Sequence, residues 1–237
     1  MANKKETNRL NLSEDVIDSI REGLGLEPKP KLDEAYVTQA KKFNLSTELL
    51  SNKAKQAHQQ LFEQYVDSLN EVSAQLDTVD RDSVDSRDSQ FRSLKLDETY
   101  NCNAAFLHAL YFENISDLHS QIKMDSLAFI RIERDFGTFD AWQKDFIACA
   151  LASRNGWAIT VYNGFLKRYM NIVVDLHSLN VPINCYPVIV LDMWEHAYYR
   201  DYLNDKKAFI FAMMKQLNWS VIENRFVDSE KVSKVLK

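Results

Sequence analysis

Gly156-Trp157-Ala158-Ile159-Thr160-Val161-Tyr162-Asn163-Gly164 is the stretch on which the reading of this chain turns. It is a run of β-branched and aromatic residues, which favour an extended chain, and it closes on Asn-Gly, a strong hairpin signal between two strands. A second β-rich run, Tyr169 to Asp175, follows, and Pro187-Val188-Ile189-Val190-Leu191-Asp192 supplies a third short strand. On either side the period changes to that of a helix. Phe139 to Ala152, after Phe136-Gly137-Thr138, is helical in spacing, and the same spacing returns from about Glu195 to Phe211 and from Asn218 to Phe226. Residues 122–237 therefore read as a C-terminal domain with a small three-stranded antiparallel sheet surrounded by helices.

Toward the N-terminus, Leu49, Leu50, Ala54, Ala57, Leu61, Phe62, Tyr65, Val66 and Leu69 recur at threes and fours without Pro or Gly, which predicts one long amphipathic helix from Ser46 to about Leu76. Asp77 to Ser93 is polar and charge-mixed, a loop or a solvated helix end, and a second helix follows with Ala104, Ala105, Leu107, His108, Leu110, Tyr111 and Phe112. Two long helices joined in this way suggest an antiparallel hairpin over residues 46–121. The fold class is α+β. The two prolines of Leu26-Glu27-Pro28-Lys29-Pro30-Lys31 forbid a continuing helix, so residues 1–45 read as an appendage and linker, within which Ser13-Glu14-Asp15 could cap a short helix carrying Val16, Ile17, Ile20 and Leu24. That appendage could dock a protein partner.

Composition narrows the function. With 29 Lys+Arg against 34 Asp+Glu, the net charge of -5 leaves no positive excess to neutralise a phosphate backbone, so nucleic acid is not an expected partner. No apolar run approaches the ~18 residues of a membrane span, and none is expected. Cys102, Cys149 and Cys185 are far apart and odd in number, which suits a reducing compartment, and the polar N-terminus has neither a secretory apolar core nor a transit-peptide bias. A cytoplasmic location follows as the expectation.

Candidate chemistry lies with His58, His108 and the run Asp192-Met193-Trp194-Glu195-His196. A carboxylate at the end of a buried strand, followed four residues on by an imidazole, needs a metal or a good hydrogen-bond partner, because an unpaired buried charge is costly. Spacing alone leaves both open.

Leu191-Asp192-Met193-Trp194-Glu195-His196-Ala197-Tyr198-Tyr199-Arg200-Asp201-Tyr202 resembles the metal-ligand signature of the iron/manganese superoxide dismutases, with its Asp-x-Trp-Glu-His-Ala-Tyr core. The resemblance runs from about Leu50 to Phe226, through Leu107-His108-Ala109-Leu110-Tyr111-Phe112-Glu113-Asn114, Asp135-Phe136-Gly137-Thr138-Phe139, Asn155-Gly156-Trp157-Ala158 and Leu217-Asn218-Trp219. It implies an antioxidant oxidoreductase that disproportionates superoxide, with one iron or manganese ion per subunit held by His58, His108, Asp192 and His196. It further implies Tyr65 as gateway tyrosine, His177 as the group that orients metal-bound solvent, and Trp157, Trp194 and Phe112 as hydrophobic walls. Glu195 would bridge to the second subunit of a homodimer, with Tyr199 as the counterpart across that interface. The chain departs from the family pattern in one place. Tyr65 follows His58 by one residue fewer than in the commonest members, and the usual histidine one turn after the first ligand is missing, with Leu61 or Phe62 nearby. The alternative implied by the same resemblance is a structural or assembly protein of this fold with weak or no activity, docked through the appendage.

Overall fold

Ser51 opens the first helix by accepting the Ala54 N–H on its side-chain oxygen at 3.2 Å, a cap of the kind that contributes about 1 kcal/mol. From there α1 runs Asn52–Thr78 and buries Ala54, His58, Phe62, Val66, Leu69, Val72, Ser73 and Leu76, one stripe at threes and fours. In the same manner Ser89 caps α2, Gln90–Asn114. The computed structural model describes residues 35–115 and 120–235, and the short helix expected around Val16 to Leu24 lies outside the described residues.

Contacts between α1 and α2 run in opposite order along the two helices. His58 and Phe62 meet Phe112, whereas Val72 and Leu76 cluster with Leu94. The pair is thus the antiparallel hairpin that the periodicity predicts. The polar connection between them is held by its own aspartates: Asp80 accepts the Asp82 N–H, and Asp85 accepts those of Arg87 and Asp88. Residues 35–45 lie along the hairpin, with the Tyr36 N–H on Ser73 Oγ, the Thr38 N–H on Asn70 Oδ1 and Phe43 against Phe62 and Phe112.

The remaining elements are α3 (Leu127–Phe136), α4 (Phe139–Ala152), β1 (Gly156–Asn163), β2 (Arg168–Asp175), β3 (Cys185–Asp192), α5 (Glu195–Tyr202), α6 (Lys206–Met214) and α7 (Trp219–Val235). The sheet is antiparallel throughout, in the order β2-β1-β3. Its central strand is buried at every residue but its last, which accounts for a near-continuous apolar run where a one-sided strand would alternate. Asn163 and Gly164 do reverse the chain, through a four-residue connection: Asn163 Oδ1 accepts the N–H groups of Phe165 and Leu166, and Lys167 takes φ 55° before Arg168 pairs with Asn163.

Two helical features differ from the sequence reading. The stretch of helical spacing from Glu195 to Phe211 is broken at Leu203, which takes φ 51°, and Asp205 restarts the helix by capping the Ala208 N–H. The other is α3, which the sequence reading passed over: Ser126 caps it locally, and Glu223 of α7 accepts the N–H groups of Leu127 and Ala128 at 2.7 and 2.8 Å. Among the described residues no helix is long and apolar enough to cross a membrane.

Candidate metal centre

Sheet register places the site. Trp157 on β1 pairs with Asp192, the last residue of β3, and with Val174 on β2, so the carboxylate emerges at the sheet's end beside the indole. Asp192 Oδ1 accepts the Trp194 N–H at 2.9 Å, which orients the carboxylate and leaves Oδ2 facing inward. Three imidazole Nε2 atoms surround Oδ2: His58 at 3.0 Å, His196 at 3.2 Å and His108 at 3.5 Å. One ligand-capable atom from each of the four residues lies within 4.8 Å of the others. His58, His108 and Asp192 are buried, and His196 is half-buried.

The four arrive from four elements. His58 projects from the buried stripe of α1 and His108 from that of α2, where its Nδ1–H donates to the Ala104 carbonyl at 2.7 Å. A carbonyl can only accept, so the ring's proton is on Nδ1 and Nε2 carries a bare lone pair. That lone pair faces the Asp192 carboxylate at 3.5 Å, acceptor against acceptor, with His196 Nε2 3.3 Å away. A cation is what such a point suits. Three imidazole nitrogens and one carboxylate oxygen are donors of intermediate softness, apt for iron or manganese.

Electrostatics agree with that donor set. Burial lowers the pKa of His58, and that of His108 to about 3, against the opposing pull of Asp192, so these imidazoles are neutral and ready to ligate. Burial alone would raise the Asp192 pKa. The rings of His196 and His58 outweigh it, so the carboxylate is held below its usual range and ionised.

Around the four lies an aromatic shell. The Trp157 ring stands edge-on to His108 at 5.0 Å, Phe112 edge-on to His58 at 4.9 Å, and Trp194 stacks on His196 at 5.7 Å and on His177 at 4.8 Å. His177 is fully buried in the turn after β2, where Leu176, at φ 54°, donates its N–H to the Asn155 carbonyl. Its Nδ1 accepts the Trp157 Nε1–H at 3.1 Å, so the ring proton sits on Nε2 and is donated to Tyr65 Oη, also at 3.1 Å. Tyr65 reaches this place because seven residues at about 100° each return it to nearly the same face of α1 as His58. Its ring lies 5.2 Å from that of His108.

Glu195 and Tyr199 sit apart from this interior. Both are exposed, and with Ala57, His58, His196 and Arg200 they line an open cleft of about 460 Å³ on the outer side of the ligand cluster. The sequence reading passed over Asn103, whose side-chain amide holds the His177 carbonyl at 2.9 Å, and Tyr100, whose ring lies 4.7 Å from the His177 ring. Their sole signal in the sequence is a place on the helix that also carries His108.

The sequence model for iron/manganese superoxide dismutases, C-terminal domain, matches residues 126–225. The superoxide dismutase (Fe) of Aquifex aeolicus is 35% identical over 176 residues, 73% of this chain and 82% of that protein. The superoxide dismutase (Mn) 2 of Haloferax volcanii is 36% identical over 121 residues, 51% of this chain and 60% of that protein. The superoxide dismutase (Mn) 1 of Haloferax mediterranei is 40% identical over 114 residues, 48% of this chain and 78% of that protein. With most of one such relative's length aligned and the His58, His108, Asp192 and His196 donors converging on one point, the chain belongs to the iron/manganese superoxide dismutase family.

Proposed function

We propose that this protein is a superoxide dismutase whose iron or manganese ion is held by His58, His108, Asp192 and His196. The observation that carries the reading is the convergence of three imidazole Nε2 atoms on one oriented carboxylate oxygen, in a chain of this family. Bound there, the metal supplies a one-electron redox couple, so that two superoxide ions and two protons become one dioxygen and one hydrogen peroxide.

The chain's own residues do the rest. Asp192 places one negative charge against the ion, and the Trp194 N–H fixes its orientation. Trp157, Trp194 and Phe112 exclude bulk water and confine the ligand rings. His177, fixed as the Nε2–H tautomer, orients groups beside the ion, and Tyr65 stands on the path of substrate and protons. Exposed Glu195 and Tyr199, beside His196, suit contact with a second copy across a two-fold axis, in a homodimer where Glu195 reaches the partner's ligand histidine. Three free thiols suit a reducing compartment such as the cytoplasm.

The test is elemental analysis of the purified protein together with superoxide consumption, each compared with Asp192→Ala. Near-stoichiometric iron or manganese and activity, both lost in the variant, are expected. Folded protein that stays metal-free and inactive after reconstitution with either metal would overturn the reading in favour of an assembly protein of the same fold.

A further inference from the structure

β3 is an edge strand, paired with β1 on one side only, yet Val188, Ile189, Val190 and Leu191 are all buried. Carbonyls on its outer side therefore need partners that are neither water nor a fourth strand. Two side chains supply them. Asn114, the fully buried last residue of α2, donates its Nδ2–H to the Val190 carbonyl at 2.7 Å, and Arg225 of α7 donates Nη1–H to the Val188 carbonyl at 3.4 Å. A guanidinium can only donate, so its contact with Asn114 Oδ1 fixes which end of that amide faces β3. Arg225 also donates Nη2–H to the Leu110 carbonyl at 2.9 Å and to Glu113 Oε2 at 3.0 Å, which ties it to α2 and matches its charge.

The same stretch of β3 is irregular. Thr160 pairs with Ile189 and Val161 with Pro187, which leaves Val188 as an extra residue, a β-bulge. Asp192 shares its face of the sheet with Trp157, whereas Thr160, on the other face, accepts the Trp142 Nε1–H. Were the bulge to move along β3 past Asp192, the carboxylate would turn to the Thr160 face, away from the histidines. The two side-chain contacts fall on the bulge itself and on Val190, between the bulge and Asp192.

We propose that Asn114, oriented by Arg225, is a positioning residue for Asp192: it holds the edge strand to α2, the helix that carries His108, and keeps the bulge at Val188. The consequence for a bound metal rests on the dismutase reading; the hold on β3 does not.

Asn114→Asp keeps the size of the side chain and its contact with Arg225 but replaces the donor to Val190 with an acceptor. In the metal-free full chain, amide exchange over residues 188–194, followed by mass spectrometry, is expected to be about five-fold faster in this variant, the size of one lost hydrogen bond. Affinity for Mn(II), measured by competition with a chelator, is expected to fall about ten-fold, with a changed electron paramagnetic resonance spectrum of the bound ion. Arg131→Met, which breaks the Arg131–Glu230 pair between α3 and α7, controls for a general loss of stability and is expected to leave all three readouts unchanged. Unaltered exchange in Asn114→Asp, or an equal change in Arg131→Met, would overturn the proposal, as would faster exchange with Mn(II) affinity and spectrum unchanged. Unmodified protein that binds neither iron nor manganese would overturn the dismutase reading separately, because exchange at β3 is read without metal.

Discussion

A carboxylate with no exposed surface, as Asp192 is, persists as an anion only where its oxygens are fully engaged, here by the Trp194 N–H on one and the histidines on the other. Removing it takes away the only charge that the ligand set contributes. Asp192→Ala, and equally His108→Ala, should therefore abolish bound metal and activity while keeping most of the helical circular dichroism, because the helix stripes and the sheet register do not depend on these side chains. Retained metal in either variant, measured by elemental analysis, would refute the ligand assignment. Tyr65→Phe separates the proposed ligands from the proposed role of Tyr65 in proton delivery: it removes the acceptor of His177 Nε2–H without touching any of the four residues, so metal content should stay stoichiometric while turnover falls, on the order of ten-fold for a lost proton-transfer group.

Elements meet at close quarters in two places where one residue type decides the geometry. A Cβ added to Gly156 would collide with the Val174 carbonyl oxygen and come within 3.0 Å of Asp175 Cα, at the first pair of the β1–β2 ladder. Gly156→Ala should consequently cost about 2 kcal/mol or more, since backbone must move, seen as a lower thermal midpoint. It should also lower metal affinity, because the same strand end positions Asp192 through Trp157. Leu203 is the converse case. It adopts φ 51° and ψ -123° between α5 and α6, and its side chain is 62% exposed, so strain is set against little packing. Leu203→Gly should be neutral or stabilising by up to about 1 kcal/mol in the same melting experiment, and a clear loss of stability would show that the exposed side chain matters after all.

Over the whole molecule, the buried imidazoles couple stability to pH. His108 has its folded-state pKa lowered from 6.5 to about 3 and His177 to about 4, in both cases chiefly by burial, and that of His58 is lowered too. Between those values and 6.5 the unfolded chain binds protons that the folded chain refuses, so stability rises with pH through this window and is lost as pH falls through it. Asp192, also lowered in the folded state, adds a loss in the same direction at still lower pH. Each group contributes at most about 1.4 kcal/mol per pH unit. The metal-free protein should melt at progressively lower temperature from pH 6.5 to pH 4, as followed by circular dichroism, and a flat or rising midpoint would contradict neutral, buried histidines. Acid should also release bound metal, because a protonated Nε2 cannot ligate.

Local pattern, legible from residues alone, determined the two long helices, the three strands and the four-residue spacing of Asp192 and His196, because amphipathic period and Asn-Gly chemistry act over a few residues. The resemblance carried by the Asp192 to Tyr202 stretch supplied the remaining ligand candidates. What only the tertiary structure decided is everything that depends on distance in the chain. His58 meets Asp192 across 134 residues, and α3 starts where Glu223 caps it from 95 residues away. The tautomers of His108 and His177 are set by a carbonyl one turn back and an indole on another element. Periodicity says which face of an element is buried; only packing determines what that face meets, and hence which lone pairs and protons point at one another.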